Sequence, residues 1–276
     1  MKIITHFNPD LDAVTSIWLL KRFFSGWHTA EVDFVKAEVI KEADLNPEVL
    51  YVDVGSGKLD HHQTGEYLSA SAVVWKFVQK NRSGKPLREL DIKAVDRLIE
   101  VVTQIDNARD LVWPEVTENR YKFYLHTLIA GIRGLAGSDI EAVNFGLLAL
   151  EAVFHNLKNK IRAEEEIKTG EKFLTVWGEA VAAETGNEEV LWEGEAEGYV
   201  LTMRKDPETG SVRIFARYDS KVDLTSLYNK VKELDPQSDW YLHTSKKMLL
   251  NQASVNPGMR PTKLSLETII SLLKKE

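Results

Sequence analysis

Hydrophobic and polar positions in the first third of the chain switch repeatedly between two periods. Residues 2–7 (KIITHF) form a short apolar run that reads as a buried strand, and residues 13–24 (AVTSIWLLKRFF) read as a helix packed on both sides. Glu31 to Ala37 alternates and predicts a second strand. Val49 to Val54, with Pro47 just before it, predicts a third. Ser69 to Gln79 and Leu90 to Ile105 carry helical periodicity. Strand–helix alternation of this kind predicts an α/β fold, a parallel sheet with helices on both faces. Ligands of such sheets bind beyond the carboxyl ends of the strands.

From about Tyr121 to Ala183 the pattern is mostly helical. Gly131, Gly134 and Gly137 mark a break, Glu141 to Ala183 carries apolar positions at helical spacing, and the charge run Arg162-Ala163-Glu164-Glu165-Glu166 reads as a solvated helix face. After about residue 190 the character changes. Gly198 to Lys205 and Ser211 to Tyr218 are β-rich runs joined by Asp206-Pro207-Glu208-Thr209-Gly210, a strong hairpin signal. Leu224 to Leu234 reads as a helix, Trp240 to Thr244 as a strand and Leu266 to Leu273 as a closing helix. The expected organisation is an α/β domain over 1–135, a helical connector over 136–189 and a smaller C-terminal α/β domain over 190–276.

A length of 276 residues suits about two domains. The chain has no Cys, which excludes disulfides, thiolate zinc sites and thiol nucleophiles. Its net charge, 35 − 42 = −7, argues against a protein that coats long nucleic acid and leaves small phosphorylated substrates or short oligonucleotides open. Met1 to His6 lacks the charged leader of a signal peptide, and the most apolar run, Ala13 to Leu20, falls short of the ~20 residues that span a bilayer. The expectation is a soluble, cytoplasmic protein without membrane attachment; a homodimer stays open.

Two segments change the picture most. One is His6-Phe7-Asn8-Pro9-Asp10-Leu11-Asp12-Ala13; the other is Asp53-Val54-Gly55-Ser56-Gly57-Lys58-Leu59-Asp60-His61-His62-Gln63. Each follows a predicted strand, and together they place four carboxylates and three imidazoles near strand ends. Crowded carboxylates repel, so a cation is needed among them. Oxygen and imidazole ligands suit Mn²⁺, Mg²⁺ or similar ions. Two such ions about 3.5–4 Å apart form a phosphoryl-transfer device. Asp10 and Asp12, two apart in an expected extended loop, would point to opposite sides and serve different metals. Asp53 could bridge both. His61 and His62 are adjacent, so if one faces a metal the other faces substrate. The alternative is a helix-capping Asp and two surface histidines.

Both segments resemble the signature of the DHH phosphoesterase superfamily. That group holds RecJ-type exonucleases, nanoRNases and cyclic-dinucleotide phosphodiesterases, with family II inorganic pyrophosphatases as relatives. The resemblance covers roughly residues 1–110 and extends to an acidic residue after a helix, here Gln104-Ile105-Asp106-Asn107. It implies a metal-binding catalytic first domain with two divalent cations, Mn²⁺ foremost and Mg²⁺ or Co²⁺ as substitutes. His6 and Asp10 would hold one, and Asp12, His61 and Asp106 the other, with Asp53 bridging. Asp60 would orient a histidine, and His62 would touch the phosphate or protonate the leaving oxygen.

The resemblance also implies a substrate-gripping C-terminal domain. Residues 240–266 contain no Asp or Glu but do contain His243, Lys246, Lys247, Arg260 and Lys263. His243, Lys246, Lys247 and Arg260 would bind a phosphate, Arg in bidentate fashion; the alternative is a solvated basic loop. The family's usual Gly-Gly-Gly-His run is missing, the nearest equivalent being His243 to Lys247 and Asn256 to Lys263. A looser similarity is to the melanocyte-proliferating-gene family of DHH-like exonucleases, which share a Val-Asp-Val-Gly…Asp-His-His-Gln run. Gly55-Ser56-Gly57-Lys58 is rejected as a P-loop, since Leu59 stands where Ser or Thr is needed. His126 and His155 read as structural, and Arg109 as either a phosphate ligand or a salt-bridge partner. The resulting expectation is a two-metal phosphoesterase acting on a nucleotide or short oligonucleotide. The alternatives are a pyrophosphatase- or polyphosphatase-type anhydride hydrolase and a non-catalytic nucleotide sensor.

Overall fold

The computed structural model describes residues 1–40, 44–251 and 258–275. It is a mixed α/β structure that divides into two compact units, Met1–Lys158 and Asn159–Glu276.

In the first unit the described residues form a three-stranded parallel sheet. Its strands are β1 (Lys2–His6), β2 (Glu31–Val35) and β3 (Val49–Tyr51), in the order β2-β1-β3. Lys2 of β1 pairs with Val49 of β3, and Ile4 with Tyr51, so partners are 47 positions apart. Carried to the carboxyl end, this offset sets His6 beside Asp53, since 6 + 47 = 53. Helix α1 (Leu11–Phe23) follows β1 and is buried on nearly every side, as apolar residues spread around its circumference require. Its rings interlock edge to face: Trp18 packs on Phe23 and on Phe154 of α5 (Asp139–Thr169) at centroid distances of 5.4 and 5.5 Å. The Trp18 indole also donates to Glu151 at 2.8 Å. Gly146 permits this close approach, because a Cβ there would meet a Val14 methyl at 2.6 Å. Helices α2 (Ala70–Asn81), α3 (Glu89–Asp106) and α4 (Leu125–Ala136) lie between α1 and α5 in the chain.

Helix α5 runs across the division between the units. The expected connector over 136–189 is not helical throughout. Glu171–Thr175 and Gly178–Glu184 are instead antiparallel strands β4 and β5. The alanines of β5 favour a helix by intrinsic propensity. Here Ala180 to Ala183 are buried within a sheet, and packing overrides propensity. Nor do Gly131 and Gly134 break the chain: α4 runs through both and ends at Gly137, which has φ +66°.

The second unit is a six-stranded mixed sheet, β4-β5-β6-β7-β9-β8. Its other members are β6 (Leu201–Lys205), β7 (Val212–Ala216), β8 (Trp240–Leu242) and β9 (Met248–Asn251). The expected hairpin is present as β6 and β7, while β9 and helix α6 (Glu189–Ala196) are additions to the sequence reading. On one face Ala163 and Ile167 of α5 and Val190 and Leu191 of α6 pack on Val181. On the other, α7 (Thr225–Leu234) and α8 (Leu266–Leu273) cover Ala180, Ala182 and Met203.

Candidate metal centre

Each sequence-proposed ligand in the first unit owes its position to a local backbone feature. His6 ends β1, and Asp53 lies two residues past β3 in the left-handed region, at φ +54°. A non-glycine residue there carries strain on the order of 1–3 kcal/mol, of the kind that clusters at functional sites. Asp10 is the N-cap of α1, accepting from the Ala13 N–H at 3.0 Å. Asp12 falls in the first turn of α1 and not in an extended loop, so helix geometry, and not alternation, separates it from Asp10. The Asp12 carboxylate, 1% exposed, also accepts from the backbone N–H groups of Ala70 and Ser71 at 2.6 and 2.9 Å. It thereby satisfies two of the orphan donors at the start of α2. Asp106 is the last residue of α3, where a carboxylate opposes the helix dipole. Capping and clustering thus coexist at Asp10 and Asp12.

These residues converge. Asp53 Oδ2 lies 3.3 Å from His6 Nε2, and Asp53 Oδ1 lies 3.5 Å from His61 Nε2. His61 Nε2 is 3.6 Å from Asp106 Oδ2 and 3.9 Å from Asp12 Oδ2. Among the described residues, ligand atoms come within 4.8 Å of one another in three sets: His6, Asp10 and Asp53; Asp12, His61 and Asp106; and Asp53, His61 and His62. The first set gathers residues that the resemblance assigns to one ion and its bridge, and the second those that it assigns to the other. The third shows that His61 and His62 do not separate cleanly: their rings lie 4.4 Å apart, and His62 Nδ1 also approaches Asp53 Oδ1, at 3.6 Å.

Asp60 is nearly buried and accepts from the Ser56 N–H at 2.7 Å, the His62 N–H at 3.1 Å and His62 Nδ1 at 2.7 Å. It fixes the ring of His62, the more exposed histidine of the pair.

The electrostatics show a site that lacks positive charge. Burial disfavours the Asp12 carboxylate, the Asp53 charge adds to the effect, and its pKa rises well above the ordinary value. Burial and the charges of Asp53 and Asp10 likewise outweigh the His61 attraction and push Asp106 up to about 6. The Asp53 carboxylate 3.5 Å away, helped by the charges of Asp106 and Asp12, outweighs burial and lifts His61 to about 9. At His6, burial opposes the imidazolium, but the Asp53 and Phe7 hydrogen bonds overcome it and raise the pKa to about 9. Protons therefore occupy this cluster where cations could.

A further observation bears on whether metals fit. Asp53 Oδ1 and His61 Nε2 are buried and make no hydrogen bond. Buried polar atoms are ordinarily paired, and an orphan pair facing each other is what a shared cation explains. The donor set, carboxylate and imidazole, suits Mn²⁺ or Mg²⁺.

Two cavities border the cluster. One, of about 390 Å³, is lined by His6, Asp10, Asp53, Ser56, Asp60 and His62. The other, of about 340 Å³, includes Asp10, Asp12, Asp106, Asn8, His126 and Arg133. Arg133 carried no signal in the sequence, and a lone His in an apolar helix gave His126 none. Arg109 makes no salt bridge among the described residues and stacks on Tyr67, 3.7 Å from the ring centroid.

The basic residues of the second unit are arranged differently. Arg260 makes a two-pronged pair with Asp239, both N···O distances 3.0 Å. Lys246 pairs with Asp223 at 3.0 Å, and Lys247 donates to the Ser220 carbonyl. His243 Nδ1 accepts from the Ser245 N–H at 3.1 Å. Asp239 and Asp223 lie just outside the acid-free stretch 240–266, and the fold returns them to it. Residues 252–257 of that stretch, including Asn256, lie outside the described residues.

No family model and no curated protein matches the chain. Among solved structures it is similar to RecJ in complex with Mg²⁺ from Thermus thermophilus, at 12% identity and a TM-score of 0.31. That alignment covers 99% of this chain and 49% of the other, so the chain spans about half the length of that protein. The likeness is distant and transfers no residue role.

Proposed function

We propose that this protein is a two-metal-dependent phosphohydrolase cleaving phosphodiester bonds in a nucleotide or short oligonucleotide. The observation that carries this reading is the pair of ligand sets, His6/Asp10/Asp53 and Asp12/His61/Asp106, meeting where the buried Asp53 Oδ1 and His61 Nε2 approach to 3.5 Å without a hydrogen bond. Asp53 would be shared between the two cations, and the four carboxylates Asp10, Asp12, Asp53 and Asp106 would balance two divalent charges. Bound Mn²⁺, Mg²⁺ or Co²⁺ supplies Lewis acidity there, acidifying water and neutralising phosphoryl charge. His62, held through Nδ1 by Asp60, keeps Nε2 available to give a proton to the leaving oxygen. Asp60 itself stays ionised: although burial opposes it, the His62 and Ser56 hydrogen bonds lower its pKa. A cytoplasmic setting belongs to the same reading, supported by the absence of cysteine. Among the described residues no helix is long and apolar enough to cross a membrane.

The test is incubation with Mn²⁺ and a panel of short oligonucleotides, cyclic dinucleotides, pyrophosphate and polyphosphate. Chelator-sensitive cleavage of a nucleotide phosphodiester is the expected result. Phosphate release from pyrophosphate alone would make the protein an anhydride hydrolase. Tight nucleotide binding with no turnover would make it a sensor.

A further inference from the structure

The cavity of about 340 Å³ on the Asp12 and Asp106 side contains a cation that none of the described residues neutralises. Arg133 is half-buried there, on α4. Among the described residues its guanidinium makes no hydrogen bond or ion pair, although Asp10, Asp12 and Asp106 border the same space. Its five N–H donors are therefore unused. His126, Ala130 and Arg133 follow the i, i+4, i+7 spacing of one helix face, and all three line this cavity. Ala130 keeps the face open between the two polar residues.

His126 adds an independent observation. The Tyr121 hydroxyl donates to Asp110, so its oxygen accepts from His126 Nε2, at 3.1 Å. The proton is thereby placed on Nε2, and Nδ1 becomes a bare acceptor. That Nδ1 is buried and has no partner. The wall thus offers a free cation beside a half-buried imidazole, and the volume is of the size that small-ligand pockets have.

Charge decides which ligand fits. With two divalent cations in place, the carboxylates Asp10, Asp12, Asp53 and Asp106 are balanced, and Arg133 is left as net positive charge. We infer that Arg133 forms a second anion subsite beside the metal centre, so that the substrate carries another phosphate next to the scissile phosphoryl group. This inference rests on the phosphohydrolase reading.

The test uses ligands that resist hydrolysis, so it does not require turnover. Methylphosphonate carries one phosphonate; methylene-bridged and 1,3-propylene-bridged bisphosphonates carry two. Their affinities are measured by calorimetry on the full chain loaded with Mn²⁺, for the wild type and for Arg133→Ala and Arg133→Lys. At least one bisphosphonate should bind the wild type about tenfold to hundredfold more tightly than methylphosphonate, the scale of a charge-assisted contact. Arg133→Ala should remove that preference, and Arg133→Lys should restore part of it. Equal wild-type affinities, or a preference that survives in Arg133→Ala, would overturn the inference. Loss of methylphosphonate binding along with the preference would also overturn it, by assigning Arg133 a structural role. If the preference is present and depends on Arg133 while no phosphodiester is cleaved, the phosphohydrolase reading fails and the subsite stands.

Discussion

His61 Nε2 and Asp53 Oδ1 face each other at 3.5 Å, buried and without a hydrogen bond. In the second unit the exposed Arg260 and Asp239 meet at 3.0 Å through two parallel contacts. Both regions are dense in charge along the sequence. The strand-end loops of the first unit gather four carboxylates and leave two buried atoms, Asp53 Oδ1 and His61 Nε2, without a hydrogen bond. The segment around β8 and β9 gives Lys246, Lys247 and Arg260 each a nearby acceptor. Unsatisfied buried charge is expensive, and it persists where a bound ion offsets it. Satisfied surface charge contributes little and needs no ligand. The contrast favours the first unit as the place of the proposed chemistry and lessens the case for a phosphate grip by Lys246, Lys247 and Arg260.

Substitutions should break this comparison unevenly. Asp53→Ala is expected to have the largest effect, taking hydrolysis below detection and lowering the number of Mn²⁺ ions bound per chain, as read by metal analysis. His62→Gln should retain both metals and lose about 10²–10⁴-fold in kcat, the usual scale of general acid catalysis; lost metal would make it a ligand instead. Mn²⁺ affinity should rise about a hundredfold between pH 7 and pH 9, since binding must expel the protons held by His6 and His61, whose pKa values are raised to about 9. Calorimetry in buffers of different ionisation enthalpy would reveal the released protons.

Without metal, the same histidines make the folded state hold more protons than the unfolded chain. Their stabilisation is complete below about pH 6.5 and is lost as pH rises through about 9. A metal-free protein that melts higher at pH 9 than at pH 6 would contradict this. Asp60→Asn should cost about 10–100-fold, as loss of an orienting carboxylate does, by freeing the His62 ring. Arg260→Ala should change activity by less than about twofold, in line with the small worth of exposed ion pairs. A large rise in KM would return that residue to the substrate site.

Much of the candidate centre was legible because it depends on short-range features. Strand-end position, His-x-x-x-Asp-x-Asp spacing and an acid at the end of α3 all survive into the structure. The 47-residue register that sets His6 beside Asp53 is a tertiary fact with no local signature. Asp12 satisfying the start of α2 is another, linking residues 58 and 59 positions apart. The Ala-rich β5 was hidden because its propensity and its burial disagree. The pairing of Arg260 was hidden because Asp239 sits one residue before the acid-free stretch and Asp223 seventeen before it. His126 looked structural in isolation; only the Asp110–Tyr121 chain shows which nitrogen is bare.

The most direct measurement is the anomalous diffraction of a crystal soaked in Mn²⁺. The expected result is two peaks about 3.5–4 Å apart. One should touch His6 and Asp10, the other Asp12, His61 and Asp106, and Asp53 should reach both. No peak at these residues, or a single peak that leaves Asp53 uncoordinated, would contradict a two-metal centre.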